Sequence, residues 1–489
     1  MTKTKRVLAV SLVSAMALSM FGCSNNDSSS SDSNETNAEA NADGDTRSSD
    51  NDVSDSSAGT VTSDGTRIIN IGSWYESYYT SDHDDVYDND SVTDIEQAQM
   101  QLDNMRAIEE EYNVELHIIN LTWDGTIQSI NTSILAGTPD CDVYQVDLQF
   151  GVPAVLKGYA QAISSYADAD NDIMNDQEIV ASLHIEGTDD DYLFSAVSNS
   201  AEAYCLCFNV DMIKAHNLEN PQDLYDAGEW TWDKWLEYMQ ILTEDTDGDG
   251  ATDVWGYGGW WTNLLTQLLM SNNTDIAATE TEHLSSAATL EVIQFIDDMY
   301  NKYNVAKPWD AEDWSANVEC YTTQQVAFWT SAAWVMSSYG DADPDKISFE
   351  VGVVPWPRGY SVEEGEDYPQ CAVAGNWYFI PVGVDDADLV YQVMFDWINW
   401  YDYDAELRDT NTWYADVSYS PNADDPDRNY EYLLEMSQNT YFDLWSSLDV
   451  VSLYNIIYTA DDVEHYTAAQ YVEANKQLVQ DAIDSYFGN

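Results

Sequence analysis

The chain has 489 residues, enough for two domains of ordinary size, and 44% of them are hydrophobic, so a substantial core can form. Against 89 Asp and Glu stand only 16 Lys and Arg, a formal net charge of −73. That field repels phosphate backbones and anionic ligands, which excludes nucleic acid and leaves a self-repelling exported surface or, alternatively, a preference for a cationic ligand. Tryptophan (18) and tyrosine (33) are in excess. A core has little use for so many indoles, each with an N–H to place, whereas the flat C–H faces of sugars stack well on such rings.

Residues 1–23 have the pattern of an export signal. Lys3, Lys5 and Arg6 precede a short apolar run, Val7 to Met20, which is too short to span a bilayer comfortably. Leu18 to Cys23 resembles a lipobox, with small Gly22 before a cysteine that would be acylated, although Met20 and Phe21 depart from the commonest pattern. Lipid on Cys23 would then be the membrane anchor, on the outer face of the cytoplasmic membrane. Residues 24–66 are Ser, Asn, Asp, Thr and Gly with almost no apolar side chains, a composition that predicts a disordered tether.

From Arg67 the pattern alternates. RIINIGS reads as a strand that ends at Trp74, and Ile95, Leu102, Met105 and Ile108 fit one face of a helix. VELHIIN is a second strand ending near Trp123, a helix follows through Leu135, and CDVYQVD is a third strand ending near Asp147. The alternation predicts a parallel sheet with helices on both sides. Ligands of such sheets sit beyond the carboxyl ends of the strands, where Trp74, Trp123 and Asp147 fall. Asp147 is either an acceptor for ligand hydroxyls or an exposed loop acid.

Further on, Thr231 caps a helix whose Trp232, Trp235, Leu236 and Met239 recur at i, i+3, i+4 and i+7, which assigns the two indoles to the core. It runs into a loop in which Asp245, Asp247, Asp249 and Asp253, with the Ala251 carbonyl, form a candidate calcium site, Gly250 permitting the turn. The alternative is a solvated acidic turn. An EF-hand loop would carry an acid at its twelfth position, where Gly256 stands, so the expected role is structural. Trp261 and Trp377 lie beside glycines in predicted loops, and Trp334 follows a predicted strand.

The TWDKW helix followed by DTDGDG resembles the family 1 extracellular solute-binding proteins, the carbohydrate-binding lipoproteins of ABC importers. Four more segments resemble that family in the same order: SILAGTPDCDVYQVD (133–147), CLCFNVDMIKAHNLENP (205–221), QQVAFWTSAAWV (324–335) and VGVVPWPRG (351–359). The resemblance implies an α/β, two-lobed periplasmic-binding-type fold (type II) with a hinge near Ser198 to Ala201. One lobe would take 67–198 and about 374–445, the other 199–373 and about 446–489. It implies capture of a sugar or oligosaccharide without turnover, delivery to an ABC permease, and a monomer. Ligand contacts would come from Trp74, Trp123, Asp147, Trp261, Trp334 and Trp377. A binding protein for a cationic or peptide solute, or a glycoside hydrolase working through two carboxylates, are the competing functions. Apart from Cys23 the cysteines number five, an odd count for a disulfide framework; Cys205 and Cys207 are expected to be buried free thiols rather than a disulfide or metal pair. The six histidines lack zinc-ligand spacing.

Overall fold

The computed structural model describes residues 57–74, 79–89, 95–165, 192–195, 204–278, 280–309, 320–332, 347, 349–372, 377–401, 425–437, 439–441, 443–448, 450–457 and 465–487. Cys23, most of the tether, Ser198 to Ala201 and Trp334 lie outside these residues.

The first sheet is built by β1 (Arg67–Ser73), α1 (Ile95–Tyr112), β2 (Val114–Asn120), α2 (Trp123–Ser129, extended by a π turn Ile130–Ile134), β3 (Val143–Val146) and α3 (Leu148–Leu156). Its five strands run in the order β2, β1, β3, β10 (Trp377–Phe379), β4 (Phe194–Ser195). The expected parallel pairing holds for β1 with β2 and with β3. It fails at β10, which is antiparallel to both β3 and β4. A strand some 230 residues downstream of β3 pairs here through contacts that no local pattern encodes. Helices cover both faces: Ile69, Ile71, Leu116 and Val143 share one core with Val390 and Met394 of α9 (Ala387–Ile398), while Tyr144, Val146 and Phe379 belong to another with Ile130 and Val155. Of the residues expected on the α1 face, Leu102, Met105 and Ile108 are buried, but Ile95 is exposed at the first position.

A buried ion cluster fixes β1. The Asp142 carboxylate, fully buried, accepts from the backbone N–H of Asn70 (2.9 Å), the N–H of Gly59 (2.9 Å) and the Arg67 guanidinium (2.5 Å). Arg67 also pairs with Asp386 at the start of α9 (2.9 Å), which holds the Asp386 carboxyl below the usual range.

The second sheet has the order β6 (Trp255–Gly258), β7 (Val326–Ala332), β5 (Tyr204–Asn209), β8 (Val351–Val354). Short helices α4 (Val210–Ala215) and α5 (Pro221–Asp226) follow β5 and lead to α6 (Trp232–Leu242). Thr231 caps α6 by accepting the Lys234 N–H, and both Trp232 and Trp235 are fully buried, as their spacing predicts. Trp235 meets Tyr257 and Trp356 edge-on, and Trp232 stacks on Phe295 of α8 (Ala287–Asp297) at 4.6 Å. Between them lies α7 (Trp261–Ser271). Gly256 has a packing reason: a Cβ there would lie 2.4 Å from the Met239 backbone, so α6 can cross β6 only over glycine. Cys205 and Cys207 are buried free thiols, their sulfurs 3.7 Å apart.

Helix α10 (Pro426–Ser437) packs on the second sheet, although it falls within the stretch expected in the first lobe. The Asn429 amide oxygen accepts from the Val353 N–H and the Gln222 side chain, both at 2.9 Å, and so binds α10 to β8 and α5. Strand β9 (Cys371–Ala372) pairs in parallel with β11 (Thr440–Tyr441), and the chain ends in the short α11 (Tyr454–Ile457) and α12 (Ala468–Phe487). Among the described residues, no helix is long and apolar enough to cross a membrane.

Asp142→Ala removes one partner of a buried ion pair and leaves Arg67 facing Asp386 alone. A loss of about 3 to 5 kcal/mol in unfolding free energy is expected, measured by denaturant titration.

Candidate functional site

Because β1, β2 and β3 are parallel and in register, with Ser73 opposite Asn120 and Gly72 opposite Tyr144, their carboxyl ends lie side by side. Trp74 and Asp147 directly follow β1 and β3, and Trp123 stands three residues after β2. The turn from β2 into α2 is sharp: Thr122 has φ 62°, an uncommon backbone for a β-branched residue, and its hydroxyl accepts the Gly125 N–H to start the helix. This places Trp123 at the start of α2, where its ring meets Trp74 just beyond β1 and Phe150 of α3. Trp74 and Trp123 meet edge-on at 5.2 Å, and each meets Phe150 of α3 edge-on, at 5.7 and 5.0 Å. Phe150 is buried; the two indoles are half-buried and keep part of their surface in solvent. Three mutually braced rings thus form an apolar platform at the strand ends.

Asp147 is part-buried rather than an exposed loop acid. It is the N-cap of α3, its carboxylate accepting the Gln149 N–H at 2.9 Å, and burial pushes its carboxyl above the usual range. Trp377 sits on β10 opposite Val146, only 2% exposed, and its indole N–H finds no partner among the described residues. It belongs to the same buried core as Val146 and Phe150. Trp261, the first residue of α7, lies beyond the carboxyl end of β6 in a separate aromatic group, 6.4 Å from Trp445 and 5.8 Å from Tyr454.

The two groups approach one another through the 3-10 turn Leu444–Ser447, which carries Trp445. The Ser447 hydroxyl donates to the Gln149 carbonyl on α3 at 2.5 Å. The turn is held from beneath by buried Asp443. Its carboxylate accepts from the N–H groups of Ile276 (2.7 Å), Ala277 (2.9 Å) and Trp445 (3.0 Å) and from the Tyr441 hydroxyl (2.8 Å). Burial, with the Asp275 carboxylate nearby, pushes the Asp443 carboxyl up to about 6. Phe150, Trp445 and Tyr454 were not among the site residues expected from sequence. For Phe150 a signal existed, since it stands one helical turn after a strand end; for Trp445 and Tyr454 the proximity to Trp261 depends on distant packing.

Of the candidate calcium ligands, Asp245, Asp247 and Asp253 each bring an oxygen within 4.8 Å of the others. Asp249 is outside that cluster and accepts the Ala251 N–H instead. Asp245 accepts from the N–H groups of Gly248 (2.7 Å) and Gly250 (2.8 Å), and Asp253 from Thr246, so the loop is internally folded. It precedes the amino end of β6, whereas Trp261 follows the carboxyl end, which separates this loop from the aromatic groups by the length of a strand.

A family profile described as bacterial extracellular solute-binding protein matches residues 93–402. No curated protein sequence matches the chain. Among solved structures, an ABC substrate-binding protein from Listeria monocytogenes in complex with cycloalternan is similar at 15% identity and a TM-score of 0.57, covering 86% of this chain and 99% of that one. The cyclic α-maltosyl-1,6-maltose binding protein from Arthrobacter globiformis is similar at 15% identity and a TM-score of 0.56, over 86% and 100%. UgpB from Mycobacterium tuberculosis, in complex with glycerophosphocholine, is similar at 15% identity and a TM-score of 0.53, over 78% and 95%.

The raised Asp443 carboxyl gives a pH dependence whose sign is fixed. The native state binds this proton more tightly than the unfolded chain, so the associated stability is present below the ordinary carboxylate range and is lost as pH rises through about 6. Relative to Asp443→Asn, the wild type should gain on the order of 2 kcal/mol between pH 7.5 and 4.5, read from paired denaturant titrations.

Proposed function

Since the chain belongs to the bacterial extracellular solute-binding protein family, we propose that its solute is a neutral sugar or oligosaccharide, held in an aromatic cleft and delivered to an ABC permease. The fold is the α/β, two-lobed binding-protein fold that the sequence predicts, with one sheet in each half. Fold alone does not choose the ligand, because the similar structures include complexes with a cyclic glycan and with glycerophosphocholine. The observation that carries the sugar reading is the platform of Trp74, Trp123 and Phe150 at the ends of three parallel strands.

Stacking supplies the affinity in this reading. The apolar face of a pyranose ring covers the exposed part of Trp74 and Trp123, while Gln149 and Ser446, beside the platform, take hydroxyls. Asp147 acts by fixing the start of α3, and Trp377 by packing in the core that holds Phe150. Trp261, with Trp445 and Tyr454, approaches from the other half, and Trp334 is assigned the same side. Hinge closure brings the two sides together, and the permease reads the closed form. The mechanism is binding, with no turnover.

Three further assignments accompany this reading. Cys23 carries the lipid that anchors a monomer to the outer face of the cytoplasmic membrane, with residues 24–66 as tether. The lobes are 67–198 with about 374–445, and 199–373 with about 446–489, amended so that α10 belongs to the second. Calcium is held by Asp245, Asp247 and Asp253, with Asp249 and the Ala251 carbonyl as further oxygens; a hard cation would neutralise the converging carboxylates and stiffen the α6–β6 connection.

Calorimetry against a glycan panel tests the main reading. Trp74→Ala and Trp123→Ala should each cost about 1 to 3 kcal/mol of sugar affinity, roughly fivefold to hundredfold, with little effect of salt. Binding of polyamines or peptides but of no glycan would transfer the assignment to a cationic solute, and steep salt dependence would point the same way. For calcium, chelation should lower the melting temperature of metal-free protein and calcium should restore it; identical melts would remove the site.

A further inference from the structure

Cys205 and Cys207 stand two residues apart on β5, so their side chains leave the same face of the strand. Both are fully buried, and their sulfurs lie 3.7 Å apart. A disulfide needs about 2.0 Å between the sulfurs and about 4 Å between the β-carbons. On an extended strand, positions i and i+2 keep a spacing of roughly 6.6 Å. Side-chain rotation can bring the sulfurs together but not the β-carbons, so the bond closes only if β5 buckles at Leu206.

The fold resists that buckling because β5 is an inner strand. Leu206 is level with Thr330 of β7 on one side and with Val354 of β8 on the other, in antiparallel ladders. At the start of the strand the Tyr204 carbonyl accepts the Trp356 indole N–H at 3.0 Å, and at its end the Asn209 side chain accepts the Met212 N–H to cap α4. Contraction between these points would strip buried backbone groups of their partners. The pair makes a poor metal site. Burial, with the Cys205 thiol alongside, pushes the Cys207 thiol well up, whereas soft cations bind thiolates. Among the described residues the two sulfurs also belong to no group of three or more candidate ligands.

We propose that Cys205 and Cys207 form a redox gate on the second half of the protein: the dithiol builds β5 and the disulfide excludes it, so oxidation of the pair by a low-molecular-weight disulfide holds the chain out of its solute-binding fold. In an opened strand, one Cys thiolate attacks the small disulfide, forms a mixed disulfide and expels one small thiolate. The second Cys thiolate attacks the protein sulfur of that mixed disulfide and expels the other. Two protein thiols are oxidised, one small disulfide is reduced to two thiols, and the two protein protons pass to the thiolates released. In the closed sheet, ladder and burial keep the pair reduced; in a chain not yet folded neither barrier exists. Oxidants of this class belong to the surroundings of exported proteins. The gate is independent of which solute is bound.

The test exposes the purified full-length protein to oxidised glutathione, in native buffer and in concentrated urea, and maps disulfides by alkylation and peptide mass. Native protein should form the Cys205–Cys207 bond at least about a hundredfold more slowly than the unfolded chain. The intramolecular form, without glutathione adducts, is then isolated and diluted from urea. It should lack the cooperative melt and buried-tryptophan fluorescence of the reduced protein, and dithiothreitol should restore both. Cys23→Ala/Cys141→Ala/Cys320→Ala/Cys371→Ala leaves only the pair and should behave alike; if it does not fold when reduced, the mapped wild-type form decides. Native protein that acquires the bond as fast as the unfolded chain, or acquires it and keeps its melt, overturns the gate. So does an unfolded chain that forms no Cys205–Cys207 bond, or an oxidised chain that refolds without reductant.

Discussion

The Asp142 carboxylate is the constraint on which the candidate site depends. It is buried inside the first sheet, one residue before β3, and takes donors from β1 at Arg67 and Asn70 and from the segment before β1 at Gly59. A buried carboxylate without such partners would be costly, and with them it fixes β1 against β3 in a single register. The register decides where the strands stop. A slip of one residue would turn every β1 side chain to the opposite face and carry Trp74 away from Trp123 and Phe150. In a chain of net charge −73, Arg67 is a scarce cation, and it is spent on two carboxylates that lock the sheet to α9.

Aromatic side chains serve two separate purposes. In the second half they fill a core: Trp230, Trp232, Trp235, Trp329 and Trp356 are almost completely buried, and three of them send the indole N–H to a Pro355 carbonyl, the Ser271 hydroxyl and the Tyr204 carbonyl. At the strand ends of the first sheet, Trp74 and Trp123 are only part-buried, Trp123 being itself the first residue of α2. The abrupt left-handed turn at Thr122 is part of that geometry. An acidic surface and an aromatic platform are compatible, because apolar contact with the rings is not screened by charge.

Much of this was legible in the sequence because it is local. Strand and helix alternation over residues 67–156 is a periodic signal, and the capped helix at Thr231 with Trp232 and Trp235 at i and i+3 points those indoles to the core. What escaped was non-local. The insertion of β10 antiparallel beside β3, the use of Asn429 to bind α10 to the edge of the second sheet, and the approach of Trp445 to Trp261 all depend on pairings across some 75 to 230 residues. Asp147 is the instructive case. An acid followed by a helical run is a capping signal, and its position at a strand end suggested ligand contact; the capping role is the one the Gln149 N–H makes visible.

The most direct test of the account is a crystal structure grown with the tightest-binding glycan of a screened panel. A pyranose ring should lie against Trp74 and Trp123, with the 444–447 turn and Trp261 closing from the opposite side and Asp147 still capping α3. A ligand bound through acidic side chains away from these indoles, or a sugar seated elsewhere with Trp74 and Trp123 unoccupied, would contradict it.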